Sequence, residues 1–97
     1  REFLNELYQI FIDEIPERKS SFDEAFDKAN SKTVASLAHS LKGVCLTIGA
    51  FSCKDLAEEV EHAAKAGDLD AALNKYRYLV ETLDKIEKII GEMDLGK

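Results

Sequence analysis

The chain has one proline and five glycines in 97 residues. So few turn formers argue against an all-β domain, which needs frequent turns and β-branched runs. No apolar run approaches the roughly 18 to 20 residues that cross a bilayer, and the first residues do not resemble a signal peptide. A soluble, cytoplasmic protein with no membrane insertion is expected. Basic residues are in the minority, 13 against 19 acidic ones, for a net charge of -6. A phosphate backbone is bound by clustered Lys and Arg, so nucleic acid is not an expected partner. There is no G-x-x-x-x-G-K-[ST] loop and no kinase signature, which excludes self-phosphorylation from ATP. The two cysteines, Cys45 and Cys53, fall at helical positions facing the core or its edge, and are expected to be buried free thiols in a reducing compartment. Internal repeats and low-complexity segments are also missing.

What is present is helical periodicity. A hydrophobic content of 45% in 97 residues supports one domain with one core. Phe3, Leu4, Leu7, Tyr8, Ile10 and Phe11 recur at helical spacing, giving a short first helix to about Asp13. Pro16 restricts Ile15 and suits the first turn of a new helix, so a second helix is expected from Pro16 to about Asn30, with Phe22, Ala25, Phe26 and Ala29 inside. Asn30 and Ser31 offer a cap for a third helix, which Gly49 ends. Ser52-Cys53-Lys54-Asp55 has the form of a capping box, so the next helix should start at Cys53 and stop at Gly67. Asp68 caps a last helix over Leu69–Ile90, with 91–97 as a frayed tail. Connections of two to four residues imply an all-α, antiparallel, up-down four-helix bundle with an additional short N-terminal helix.

The stretch Ser31 to Ala50, SKTVASLAHSLKGVCLTIGA, carries the chemistry. Val34, Leu37, Ala38, Leu41, Cys45 and Ile48 form a stripe about 80° wide, and His39 stands about 155° from its centre, out in water. Ala35 and Ser36 precede the histidine by one turn; Lys42 and Gly43 follow it by one turn. A glycine inside an exposed helix face costs roughly 1 kcal/mol relative to alanine. With no turn or cap needed there, the bare surface lets another molecule approach the imidazole. Leu46 lies about 20° from His39 around the helix, an apolar side chain on a polar face, which suggests a docking patch.

The sequence A-H-S-L-K-G at 38 to 43, followed by I-G-A at 48 to 50, resembles the signature of the histidine-containing phosphotransfer (HPt) domains of two-component phosphorelays. Where many members have small residues after the K-G pair, this chain has Val44, Cys45, Leu46 and Thr47. The resemblance implies that His39 is phosphorylated, that Lys42 lies near the phosphoryl group, and that Gly43 leaves room for a response regulator. It also implies a response-regulator receiver domain or a histidine kinase as partner, with Mg²⁺ on the receiver and no cofactor on this chain. A monomeric single domain over 1–97 is expected, cut from a longer multidomain signalling protein because the chain opens on Arg1. Near pH 7 much of an ordinary imidazole is neutral, so a ring nitrogen has a lone pair for attack on an aspartyl phosphate.

Other readings share these residues. A phosphoacceptor domain of a chemotaxis-type histidine kinase has a similar H-S-x-K-G motif, and a non-catalytic adaptor bundle would need only the helices. A sensor-kinase dimerisation domain fits less well, since Ser40 rather than an acidic residue follows His39. His62 sits among Glu58, Glu59, Glu61 and Lys65, which reads as a charged surface. Glu59-Val60-Glu61-His62 matches the E-x-x-H form of di-iron bundles, but only once, where that chemistry needs two such motifs. No metal site is expected.

Overall fold

Three short connections divide the chain into helices, and each helix before them closes in the same way. The computed structural model describes residues 2–92, with side chains from residue 6 onward: α1 Glu2–Asp27, α2 Ser31–Thr47, α3 Phe51–Lys65 and α4 Leu69–Glu92. The amide of Asn30 donates to the Ala25 carbonyl, that of Ala50 to Cys45 and that of Asp68 to Ala63. In each case the preceding residue is left-handed: Ala29 at φ 53°, Gly49 and Gly67 at φ 78°. This is the Schellman closure, which satisfies carbonyls that a helix end leaves open. The next helix then starts on a side-chain cap in two cases. Asn30 Oδ1 accepts from the Thr33 amide at 3.1 Å, and Asp68 Oδ1 from the Ala71 amide at 3.0 Å. The expected capping box does not form. α3 starts at Phe51 behind Ala50, which has no side-chain cap, and Asp55 pairs with Lys54 instead.

The separate N-terminal helix expected before Pro16 is not an element of its own, because α1 runs unbroken through the proline. Proline removes one helical hydrogen bond, to the Ile12 carbonyl, and costs about 3 kcal/mol in a helix interior. Phe11 and Ile15 on one side of it and Phe22 on the other are all buried in the same core. Each such side chain contributes roughly 1.5–3 kcal/mol on burial, so keeping the two halves in line outweighs the local penalty. The side chains of Phe3 and Leu4, assigned to the apolar face of that first helix, lie outside the described ones. At the other end α4 continues through Gly91 to Glu92, two residues into the expected frayed tail; residues 93–97 lie outside the described ones.

The described residues contain helices and no strand. α2 packs on α3, α3 on α4, and α1 closes the ring against α2 and α4. One core runs down the middle, built from Phe11, Ile15, Phe22 and Ala25 of α1, Val34, Ala38 and Leu41 of α2, Ala57, Val60 and Ala64 of α3, and Ala72, Tyr76, Leu79 and Leu83 of α4. Phe22, Phe26 and Tyr76 meet with ring centroids 4.7 to 6.4 Å apart, tying α1 to α4. Lys19 and Asp84 form an ion pair across the same seam.

Both cysteines are buried as expected, but they are joined in a disulfide rather than free. They stand on the inner faces of α2 and α3, on either side of the Gly49 turn, with Cα atoms 6.0 Å apart, within the span a disulfide bridges.

Ala29 is the one non-glycine residue with positive φ among those described. A left-handed conformation costs an L-residue roughly 1–2 kcal/mol, offset by glycine's greater freedom in the unfolded chain. Ala29→Gly is therefore expected to leave the midpoint of urea denaturation unchanged or raise it, by up to about 1 kcal/mol of stability. A loss of more than that would place the strain elsewhere.

Candidate functional site

His39 sits midway along α2 with its side chain 69% exposed. The same helical phase that sends Val34, Ala38, Leu41 and Cys45 into the core sends His39 outward. Ser36, Gly43 and Leu46 share the exposed surface, Leu46 at 55%. A Cβ added at Gly43 would meet nothing within 4 Å, so the space beside the imidazole is open. Ala35 is a correction. Expected beside His39 on the docking face, it is buried, because it lies on the flank of α2 that turns toward α3.

The residue that organises the site is one that periodicity assigned to an ordinary charged surface. Glu61 of α3 is 3% exposed, the one buried charged side chain among the described residues. Its Oε2 accepts from His39 Nδ1 at 3.0 Å and from Lys65 Nζ at 3.0 Å, and its Oε1 accepts from Lys42 Nζ at 2.9 Å. Three donors thus converge on one carboxylate, two from α2 and one from the next turn of α3. Burial alone would raise the Glu61 carboxyl; the hydrogen bonds and charges of Lys42 and Lys65 outweigh it and bring it from the ordinary 4.5 down to about 2. Glu61 is therefore ionised at neutral pH and can only accept.

The tautomer of His39 follows. An ionised carboxylate against Nδ1 requires that Nδ1 carry the proton, which leaves the lone pair of a neutral ring on Nε2. Lys42, the residue expected beside a phosphoryl group, is tied to Glu61. The sequence did hold a signal for Glu61. His39 and Glu61 are equidistant from Ala50 in the α2–α3 turn, and Glu61 stands between the buried Val60 and Ala64 on the flank of the inner stripe.

His62 is exposed, and Glu59 of the same E-x-x-H segment pairs with Lys75 of α4 at 2.9 Å. Among the described residues no three His, Cys, Asp or Glu side chains group as metal ligands. No helix among them is long and apolar enough to cross a membrane.

A family model described as Hpt domain matches residues 6–89. The chain belongs to the Hpt domain family. Hpt domains carry out histidine phosphotransfer in phosphorelays, and the match spans all four helices with the His39–Glu61 pair inside it. Comparison with curated proteins and with solved structures gave no match.

The depressed carboxyl gives this Hpt domain a pH signature. A carboxyl lowered in the folded state stabilises fully above its unfolded value, near 4.5, and its contribution is lost as pH falls toward about 2. Relative to Glu61→Gln, the wild type should be more stable at neutral pH by on the order of 2–3 kcal/mol, and the gap should close between those two values in urea titrations. A gap constant down to the lower value would show that Glu61 is not held ionised by its lysines.

Proposed function

We propose that His39 accepts a phosphoryl group on Nε2 from an aspartyl phosphate and passes it to the aspartate of a response-regulator receiver domain. The observation that carries this reading is the bond from Nδ1 to Glu61, which leaves Nε2 exposed with its lone pair. As Nε2 attacks, the bond to phosphorus forms while the bond from phosphorus to the aspartyl oxygen breaks, and the carboxylate leaves with the electron pair. The ring becomes an imidazolium whose remaining N–H is the one on Nδ1. Glu61 faces that developing charge, much as a buried carboxylate supports an imidazolium in a Ser-His-Asp triad. Onward transfer runs the same steps in reverse, with the imidazole as leaving group.

Lys42 keeps Glu61 ionised and offsets the negative charge that a phosphoryl group brings to the site. Phosphoryl transfer depends mainly on positioning and charge stabilisation, and the remaining parts, Mg²⁺ and an acidic pocket, come from the receiver. Gly43, Ser36 and Leu46 form the surface on which it docks, with Gly43 giving the close approach. An up-down antiparallel order of the helices is supported by the pairings of Lys19 with Asp84, Glu59 with Lys75 and Cys45 with Cys53. It brings His39 level with Glu61. A monomeric, cytoplasmic domain completes the reading.

Incubation with a receiver carrying labelled aspartyl phosphate and Mg²⁺ tests it. The wild type should gain acid-labile, base-stable label, His39→Gln none, and Gly43→Phe should transfer at least tenfold more slowly with its helix content intact. No label on the wild type from any of several receivers would favour an adaptor bundle instead.

A further inference from the structure

The cluster around Glu61 carries more positive than negative charge. Lys42 and Lys65 both donate to a carboxylate that can neutralise only one of them. An ionised carboxylate has lone pairs enough for all three donors, so the surplus at Glu61 is one of charge and not of hydrogen bonding.

The two lysines are not equivalent. Lys42 is 24% exposed and bonds Oε1, the oxygen that does not hold the histidine. Lys65 is 64% exposed and bonds Oε2, the oxygen that also accepts from His39 Nδ1. Because Lys65 Nζ and His39 Nδ1 are each 3.0 Å from that atom, they lie within about 6 Å of each other, which puts a long, exposed lysine side chain beside the imidazole ring. A lysine ammonium on a flexible four-carbon stem can change acceptors by rotating its side chain, and an exposed one does so with little desolvation.

We propose that Lys65 is a phosphoryl-binding residue: once His39 is phosphorylated, its ammonium turns from Glu61 Oε2 to a phosphoryl oxygen, while Lys42 stays on Oε1. This rests on His39 being the phosphoryl acceptor. The charges then balance. A phosphoryl group brings close to two negative charges and the imidazolium one positive charge, so with Glu61 and both lysines the cluster is near neutral. Without Lys65 it holds an unmatched negative charge.

The test uses phosphoramidate, which needs no partner protein. Nε2 of His39 bonds to phosphorus as the P–N bond of phosphoramidate breaks, and ammonia leaves with the electron pair. The phosphoryl resonance is then titrated by ³¹P NMR in the wild type, Lys65→Met, Lys65→Arg and Lys32→Met; Lys32 is exposed on the same face of α2, two turns before His39. Lys65→Met should raise the phosphoryl titration midpoint by about half a pH unit or more, as expected when a neighbouring cation is removed. Lys65→Arg should restore it, and Lys32→Met should move it by less than half as much. Superposed titrations of the wild type and Lys65→Met, or an equal shift from Lys32→Met, would overturn the contact. A wild type that phosphoramidate labels but no receiver charges or discharges would overturn the carrier reading and leave the Lys65 contact standing.

Discussion

The structure turns on one buried carboxylate that holds a surface histidine by the back of its ring. Taking a carboxylate out of water costs several kcal/mol, and its attraction to a buried partner returns that only when every lone pair is well placed. Glu61 meets the condition with three donors from two helices. Measured against an apolar replacement of the whole cluster, its net contribution to stability is small on that account. What it fixes is direction: an imidazole that would otherwise rotate freely on an exposed helix face has one nitrogen committed and the other presented to solvent.

The bundle supplies the rigidity this needs. α2 and α3 are the two short helices, 17 and 15 residues, and they sit between the longer α1 and α4, 26 and 24 residues. Val34, Ala38, Leu41 and Cys45 fix the rotation of α2, and Cys53, Ala57, Val60 and Ala64 fix that of α3. The rotation of each helix about its own axis decides whether Nδ1 and Oε2 come within hydrogen-bonding distance. A slip of one residue, about 100° of rotation, would separate them. The core and the site are therefore one constraint, and the open surface at Gly43 costs the bundle little because it lies on the side of α2 away from that core.

Features set by one helix at a time were legible in the sequence. The exposure of His39, the opening at Gly43 and the apolar Leu46 follow from the phase of a single helix, and the ends at Gly49 and Gly67 with caps at Asn30 and Asp68 follow from local backbone chemistry. Features set between helices were not. Pro16 reads locally as a break, and only the shared burial of Phe11, Ile15 and Phe22 carries α1 through it. Glu61 reads as surface from its own helix, and only the register of α3 against α2 makes it the centre of the site. Ala35 is the converse, exposed by residue spacing but covered once the neighbouring helix is in place. The pairing of Cys45 with Cys53 belongs to the same class.

The most direct test of the account is ¹⁵N NMR of the His39 ring, at a pH where histidine is neutral and again after phosphorylation. A proton on Nδ1 and an unprotonated Nε2 are expected in the free protein, with phosphorus bonded to Nε2 afterwards, and a redistribution between the two tautomers in Glu61→Gln. A proton on Nε2 in the free wild type, or phosphorus on Nδ1, would contradict it.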